Sequence, residues 1–341
     1  MIRWALAVAT VVIAGFYLVP KTGEALRTAR GLPASAAGWI GLALAAELAS
    51  LLAFSAVTYL LVEPDRRPVF RRVVRADLVS IGLSHAVPAG SAAGTVLGYK
   101  LLADEGAGSL QAGFAKVTQS LISVVVLQWL LWGALAMMVL FGSPSAPYVV
   151  MAGIGAIAVI GILALAWLLV RREHVVERMA VPVFSVLPRV NATRISRNVR
   201  RLSKRLNRLA GRPATLAWVS AWSLANWVFD GLALWASLRA FGYVGGLVEL
   251  TLAFSVVQIA ASLPISVGGL GIVEGSLVPL LVGLGTGSSI AVLGVLTWRL
   301  FNYWLPLPMG AAAYLLIAAE RRRNGGSVRP ALAYPEKAYH A

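Results

Sequence analysis

Two charged side chains, Glu274 and Arg299, lie within apolar stretches long enough to be buried in a membrane. A carboxylate at membrane depth is costly and by default marks a functional site, whereas a guanidinium offers a planar fork for phosphate or carboxylate. Glu274 belongs to residues 263–275, which also contain one proline and four glycines. Non-helical backbone at this depth is tolerated only where protein buries it or where it lines a cavity. We therefore predict a broken helix that faces a polar cavity, with Glu274 one turn into its second half.

Each of these charges also has a structural interpretation. Glu274 could cap the second half-helix, because a carboxylate near a helix N-terminus is favourable. Arg299 could bind a lipid phosphate, or it could pair with Glu274 or with Asp230. Asp230, a third charge within an apolar run, either faces the cavity or pairs with Arg239.

Several weaker polar candidates accompany these charges. We expect Glu47 and Lys100 to lie near a membrane interface, where either could snorkel towards water. His85, three residues before Pro88, is expected to be a hydrogen-bonded helix residue rather than a proton carrier. Six amides are expected to bridge helices rather than bind substrate: Gln111, Gln119, Gln128, Gln258, Asn226 and Asn302.

The composition indicates an integral membrane protein. Hydrophobic residues make up 59% of the chain and the mean hydropathy is +0.78. The net charge of +16 comes from Lys and Arg in a few loops between apolar runs, which is the positive-inside pattern rather than a nucleic-acid footprint. The chain has no cysteine, and its three histidines lack metal-ligand spacing, so we predict neither a metal nor another cofactor.

The apolar runs predict an all-α, multi-pass protein of the cell membrane. Predicted continuous spans cover residues 4–19, 36–62, 112–141, 149–170, 215–241 and 289–319, the last of them kinked. Two further runs, 73–102 and 247–284, are interrupted by proline and glycine and read as helical hairpins. The first run resembles a signal peptide but lacks a clear cleavage site, so a retained helix is favoured. The basic loops then place both chain termini in the cytoplasm.

The loop 171–213 carries the densest positive charge. Its apolar residues recur at steps of three and four, which predicts one apolar helix face made of Ile195, Val199, Leu202, Leu206 and Leu209. Such a helix would lie on the anionic cytoplasmic leaflet, where each cation adds about 1 kcal/mol. The alternative is a solvated basic loop that only sets topology. Nucleic-acid binding is not expected, because the basic helix contains no aromatic residue.

The order of these elements predicts two halves of opposite topology. Residues 1–142 hold two helices, a hairpin near 73–103 and a long closing helix, and residues 143–319 repeat this order with a hairpin near 247–284. Residues 320–341 are predicted to be a disordered cytoplasmic tail. Inverted repeats with discontinuous helices that meet at the midplane are typical of transporters.

The two breaks agree in their residues. Each begins with a proline and continues with glycines four residues apart, Gly90, Gly94 and Gly98 in the first and Gly271 and Gly275 in the second. Such spacing lets helices approach closely in lipid. The substrate-binding candidates at the two breaks are therefore Pro88, Gly90, Gly94, Lys100, Pro264, Gly268, Gly269 and Gly271, in addition to Glu274, Arg299 and Asp230.

Residues 264–274, Pro-Ile-Ser-Val-Gly-Gly-Leu-Gly-Ile-Val-Glu, closely resemble the signature of the lysylphosphatidylglycerol synthase transmembrane-domain family. This is the flippase half of the bacterial multiple peptide resistance factor. Trp298, Arg299, Tyr303, Pro306 and Gly310 resemble the family's arginine-tyrosine-proline-glycine ending. The resemblance covers residues 5–319. It implies two inverted halves with re-entrant hairpins and movement of a polar-headgroup lipid between leaflets.

The first hairpin departs from the family pattern. Many members carry an arginine and a glutamate soon after its proline, where this chain has Ser91, Ala92 and Ala93. We therefore do not infer that this chain transports the headgroup that the better-known members carry. Since no aminoacyl-transfer domain follows, the resemblance also implies that the chain does not synthesise a lipid.

These observations predict a flippase-like lipid transporter that is not an enzyme. The chain has no Walker A sequence, so gradients or downhill flow would supply the drive. The partner would be a phospholipid or polyprenyl-linked lipid whose headgroup enters between the hairpins, and two copies could form a homodimer. Arg299 would hold phosphate, and Glu274 would neutralise a cationic group or a proton. The alternatives are a scaffold that recruits a partner through 171–213 and, less favoured, a membrane-embedded enzyme on a lipid-linked substrate.

Overall fold

The computed structural model describes residues 34–87, 90–141, 192–261 and 268–323, with isolated helical positions between 153 and 171. Throughout these ranges the regular structure is helical and no strand occurs, which confirms the predicted all-α class. Several predicted features lie outside the described residues: the first span at 4–19, most of the span at 149–170, Pro88, Pro264 and the tail from residue 324.

The described helices follow the predicted order with small shifts at their ends. They are α1 (Ala34–Leu61), α2 (Phe70–Ala86), α3 (Gly90–Leu102), α4 (Ser109–Phe141), α5 (Ala192–Ala210), α6 (Pro213–Arg239), α7 (Leu247–Ala261), α8 (Ile272–Gly283), α9 (Ser288–Arg299) and α10 (Pro306–Arg323). A 3₁₀ turn spans Pro64–Arg66, and π-helical turns span Ala103–Ala107 and Leu300–Trp304.

Helix lengths divide into membrane-crossing and half-length classes. In the described part of the chain, three helical stretches are long and apolar enough to cross a bilayer, namely Ser35–Leu61, Ser109–Leu140 and Ser288–Arg323. The apolar helices α7 and α8 have 15 and 12 residues. At about 1.5 Å per residue neither reaches across a hydrocarbon core of about 30 Å. The second broken segment is therefore two half-length helices, as its proline and glycines predict.

In the first hairpin, α2 and α3 pack with their backbones in close contact. Ser80 Oγ donates to the carbonyl of Gly94 at 2.7 Å. A Cβ added to Gly90 or Gly94 would meet the backbone of Ser84 or Ser80, and one on Gly98 would approach Ser80 Oγ to 2.8 Å. The four-residue glycine spacing thus serves close helix packing, as predicted.

The glycines of the second hairpin, formed by α7 and α8, serve the turn instead. Gly268, Gly269 and Gly271 have φ angles of +55°, +76° and +82°, a region that other residues rarely adopt. Gly275 faces open space, because a Cβ there would meet nothing within 4 Å. The interpretation of Gly271 and Gly275 as a packing pair is therefore wrong.

The closing helix of the second half comprises α9, the π-helical turn Leu300–Trp304 and α10, which confirms the predicted kinked helix. The π-turn and the prolines at 306 and 308 account for its irregular middle. Its last part packs closely on α2, since a Cβ on Gly310 would lie 2.6 Å from the Leu78 carbonyl oxygen. The helix continues to Arg323, beyond the predicted end at residue 319.

Helix contacts relate the two predicted halves. The second helices of the halves, α1 and α6, pack along each other, α4 packs on α7, and α10 packs on α2. Each closing helix thus contacts the hairpin of the other half. Two related halves would show this reciprocal packing of closing helix on hairpin. Their inverted topology stays a prediction.

The basic segments lie at one end of the helical bundle, because ion pairs join them. These pairs are Arg72–Glu105 at 3.2 Å, Arg75–Glu320 at 2.7 Å, Arg321–Asp104 at 3.1 Å and Arg208–Glu63 at 3.2 Å. A positive-inside distribution requires basic segments that share one side. The described basic segments thus share one end of the bundle, and the assignment of that end to the cytoplasm stays a prediction.

Gly94→Ala should destabilise the protein by about 1–3 kcal/mol, because the new methyl group forces α2 and α3 apart. Gly133→Ala on α4 is the matched control, since a Cβ at Gly133 meets nothing within 4 Å. It should be neutral or stabilising by up to about 1 kcal/mol. Thermal unfolding in detergent measures both, and equal midpoints for the two variants would contradict the close packing of the first hairpin.

Single cysteines at Asp65 and Thr286 test the predicted topology, since the chain contains no native cysteine. Asp65 lies at the basic end, and Thr286 lies in the loop between α8 and α9. A membrane-impermeant thiol reagent should label Asp65→Cys only from the cytoplasm and Thr286→Cys only from outside. Labelling of both positions from the same side would exclude the two-halves arrangement.

Candidate functional site

A cavity of about 310 Å³ lies where α1, α2, α6, α7 and the closing helix converge. We call it the central cavity. Its polar lining consists of Glu47, Ser50, Ser84, His85, Ser123, Asn226, Asp230, Gln258, Arg299 and Asn302. Its apolar lining includes Phe54, Ile81, Trp227 and Val273. A polar chamber inside an apolar helical bundle is the arrangement predicted from the broken segments.

Arg299 and Glu274 form a buried ion pair at the edge of the central cavity. Arg299 Nε donates to Glu274 Oε1 at 2.6 Å, and the two side chains are only 5% and 8% exposed. The second carboxylate oxygen of Glu274 accepts the backbone N–H of Gly271 at 2.7 Å, which caps α8. Glu274 therefore both caps α8 and pairs with Arg299, which are the two structural interpretations of this residue. The guanidinium of Arg299 also lies 4.7 Å from the ring centre of Tyr303.

Asp230 on α6 is held by three donors from two other helices. Its Oδ1 accepts Trp298 Nε1 at 2.8 Å and Asn302 Nδ2 at 3.0 Å, and its Oδ2 accepts Gln258 Nε2 at 3.0 Å. Of the two alternatives for this residue, the structure therefore favours the cavity. Arg239 instead donates to the Tyr243 carbonyl at 2.9 Å.

Glu47 on α1 lies in the same polar group, and its predicted position near an interface is wrong. The residue is 1% exposed, and its Oε1 accepts the amide of Asn302 at 3.4 Å. Its Oε2 is buried and has no hydrogen-bond partner among the described residues. The reason is the packing of α1 along α6, which turns this face of α1 away from lipid.

The charges around the central cavity do not balance within the described residues. Glu274 already neutralises Arg299 at 2.6 Å. Glu47 and Asp230 remain, and both contact the same nitrogen of Asn302. Two carboxylates this close repel each other in a medium of low dielectric constant. The arrangement therefore favours a proton or a cationic group between them.

The described residues that flank the two hairpin breaks meet at one wall of the central cavity. His85, in the last turn of α2, stacks on Tyr303 with ring centres 4.6 Å apart. The Tyr303 hydroxyl donates to the His85 carbonyl at 2.7 Å, and His85 Nδ1 lies 3.1 Å from the Tyr303 carbonyl. A Cβ on Gly268 would press within 2.9 Å of both rings, so only glycine fits between them. His85 thus makes the hydrogen bonds that the sequence predicts, at the point where the hairpins touch.

The remaining predicted site residues lie elsewhere. Gly90 and Gly94 pack inside the first hairpin, and a Cβ added to Gly269 would meet Ala261 and Val273 within the second. Lys100 lies in the last turn of α3 and does not line the central cavity. Of the predicted bridging amides, Asn226 joins α6 to Ser50, while Gln258 and Asn302 both bridge helices and line the central cavity.

Sequence reasoning missed a second buried ion pair. Lys116 on α4 contacts Asp77 on α2, and these side chains are 4% and 1% exposed. The same ammonium group lies 3.5 Å from Thr58 Oγ1 and 3.4 Å from Gln119 Oε1. The available signal was Asp77 near the start of one apolar run and Lys116 as the single charge of the run 112–141, with a glutamine three residues after Lys116. That spacing matches Arg299 and Asn302 in the other closing helix.

No group of three His, Asp or Glu side chains comes close enough to hold a metal ion within the described ranges. A family model described as the lysylphosphatidylglycerol synthase TM region matches residues 4–310. The resemblance seen in the two motifs is therefore confirmed. A search of curated proteins found no match.

Lys116→Met should destabilise the protein by about 3–5 kcal/mol, because it leaves the Asp77 carboxylate buried without its cation. A second change, Asp77→Leu, should recover most of that loss by removing the stranded charge. Lys204→Met, at an exposed lysine of α5, is the control and should change stability by less than about 0.5 kcal/mol. Unfolding in detergent is the measurement. A single Lys116→Met variant as stable as the control would contradict a buried pair.

Proposed function

Because this chain belongs to the lysylphosphatidylglycerol synthase transmembrane-region family, we propose that it is an integral membrane lipid transporter. It would move a phospholipid or lipid-linked precursor with a polar headgroup between leaflets. The headgroup would occupy the central cavity while the acyl chains stay in lipid. The proposal includes no covalent step, so the protein would not act as an enzyme.

The observation that carries this proposal is the unbalanced charge of the central cavity. Glu47 and Asp230 converge on Asn302, and Arg299 is already paired with Glu274. A site with surplus negative charge suits a headgroup that carries an amine as well as a phosphate. The amine would lie between Glu47 and Asp230, in the place where their mutual repulsion requires positive charge.

The phosphate of the same headgroup would bind Arg299 by exchange. A guanidinium offers five donors, and its Nε–H is used by Glu274. Its Nη2 lies 3.4 Å from the Gly268 carbonyl, a long and weak contact that a phosphate oxygen could replace. Glu274 would keep its bond to the Gly271 N–H, so α8 would stay capped while Nη2 of Arg299 exchanges the Gly268 carbonyl for a phosphate oxygen.

Access to the central cavity would depend on the junction of the two hairpins. The His85–Tyr303 stack and Gly268 close one wall, and the hairpin helices on either side are short. Sliding of either hairpin would open the cavity towards one side without breaking a membrane-crossing helix. Alternating access of this kind, with repeats moving around a fixed site, is common among transporters with inverted repeats.

Asp230→Asn should slow headgroup movement of a cationic, aminoacylated lipid by about tenfold or more, because it removes one of the two charges that face the amine. Proteoliposomes with headgroup-labelled fluorescent lipids and a membrane-impermeant quencher measure the rate. Anionic, zwitterionic, aminoacylated and polyprenyl-linked analogues are compared side by side. Glu249→Gln, at a carboxylate in the first turn of α7 outside the central cavity, is the matched control and should move lipid like the unaltered protein.

Each contrary outcome points to a different function. Movement of no lipid at all would reject the transporter and favour a scaffold that recruits a partner through α5. A changed mass of the recovered lipid would instead indicate an enzyme. Movement unaffected by Asp230→Asn would keep the transporter but remove the central cavity as its site.

A further inference from the structure

A second cavity lies at the basic end of the bundle, and it shares no lining residue with the central cavity. It is formed by the end of α1, the start of α4, the end of α5 and the start of α6, and we call it the basic pocket. Its volume is about 80 Å³, well above the about 10–15 Å³ that one water needs. Its polar lining includes Glu63, Arg67, Gln111, Arg205, Arg208 and Arg212.

The basic pocket concentrates positive charge. Four guanidiniums surround it, and Glu63 is the one carboxylate among its described lining residues. Glu63 pairs with Arg208 at 3.2 Å, which leaves a surplus of about three charges. Burial lowers the pKa of Arg205, Glu63 opposes this shift, and the neighbouring charges of Arg208 and Arg66 lower the pKa further. A bound anion would relieve this crowding.

Two polar groups in the basic pocket lack a partner among the described residues. Nη1 of Arg205 is buried and makes no hydrogen bond. Oε1 of Gln111 is also buried without a hydrogen bond, and this residue is only 2% exposed. Turning the Gln111 amide about its last torsion would present its NH₂ group as a donor. Arg67, by contrast, is fixed by bonds to the carbonyls of Val62 at 3.0 Å and Leu60 at 3.4 Å.

The N-terminus of α6 adds to the same potential. This 27-residue helix begins at Pro213, after Arg212, and no side chain caps it in the described structure. Thr215, in its first turn, lines the basic pocket. The free N–H groups and the positive end of a helix dipole attract anions, phosphate above all. The guanidiniums and the N-terminus of α6 thus both face the basic pocket.

Apolar residues that line the same pocket indicate the source of the anion. Leu60, Leu61, Phe114 and Leu209 complete its lining, next to the amphipathic helix α5. A free phosphate ion has no apolar surface to bury against these residues, whereas the glycerol and first methylenes of a lipid would pack on them.

We propose that the basic pocket binds the phosphate of an anionic phospholipid from the leaflet on which α5 lies, at a site separate from the central cavity. Arg205 and Arg212 would clamp the phosphate oxygens, and the α6 N-terminus would complete the site. The proposal does not depend on lipid transport, because it uses none of the residues of the central cavity.

Native mass spectrometry of the full chain in detergent tests the site by titration with phosphatidylglycerol, phosphatidylcholine or inorganic phosphate. The unaltered protein should bind phosphatidylglycerol at least about tenfold more tightly than phosphatidylcholine, whose choline the surplus positive charge repels. Arg205→Gln/Arg212→Gln should weaken phosphatidylglycerol binding by about tenfold to a hundredfold. Arg201→Gln/Lys204→Gln, an equal change of charge at exposed positions of the same helix, should weaken it by less than about threefold.

Three results would overturn the proposal. Equal loss in both double variants would mean diffuse attraction to the basic helix rather than a site. Phosphatidylcholine binding as tightly as phosphatidylglycerol would remove the role of charge. Full displacement of the lipid by millimolar inorganic phosphate would identify a free-phosphate site instead. Arg212→Gln alone, at an exposed residue, serves as the folded reference if the double variant elutes as an aggregate, and it should still weaken binding about tenfold.

Discussion

One carboxylate, that of Glu274, joins the two irregular parts of the second half. Its oxygens are divided between the N–H of Gly271, where α8 begins, and the guanidinium of Arg299, where the closing helix enters its π-turn. Both places interrupt regular helical bonding inside an apolar bundle, where unsatisfied backbone groups are costly. The broken hairpin and the irregular closing helix therefore stabilise each other through a single side chain, and the rest of the site is arranged around this contact.

Next to the Arg299 end of this contact, three side chains reach three other helices. Trp298 and Asn302 hold Asp230 of α6, Asn302 also contacts Glu47 of α1, and Tyr303 stacks on His85 of α2. Spacings of three and four residues place Trp298, Arg299, Asn302 and Tyr303 on one side of the helix, and the π-turn begins at this point, as such turns often do at functional sites. The central cavity is thus organised by one short segment of the closing helix, and α1, α2, α6 and α7 provide most of its walls.

The sequence predicted the features that depend on local chemistry. Proline and glycine revealed the breaks, a charge in an apolar run revealed Glu274 and Arg299, and glycine spacing revealed the tight first hairpin. Features that depend on distant partners were not accessible. Glu47 is buried only because α6 covers that face of α1, and Asp77 is paired only because α4 brings Lys116 to it. The prediction that Gly275 packs against a neighbouring helix was wrong for a related reason, since spacing alone does not show which helix, if any, faces a glycine.

The short reach of α7 and α8 has an electrical consequence. Helices of 15 and 12 residues leave the central cavity bounded by much less apolar material than a full bilayer provides. A membrane voltage falls mainly across the thinnest insulating layer, so it would be concentrated at the hairpin junction near His85 and Gly268. A charge that passes this junction would sense most of the potential, about 2.3 kcal/mol per elementary charge at 100 mV. Under the proposed transport function, membrane voltage would therefore act on a charged headgroup over a distance of only a few residues.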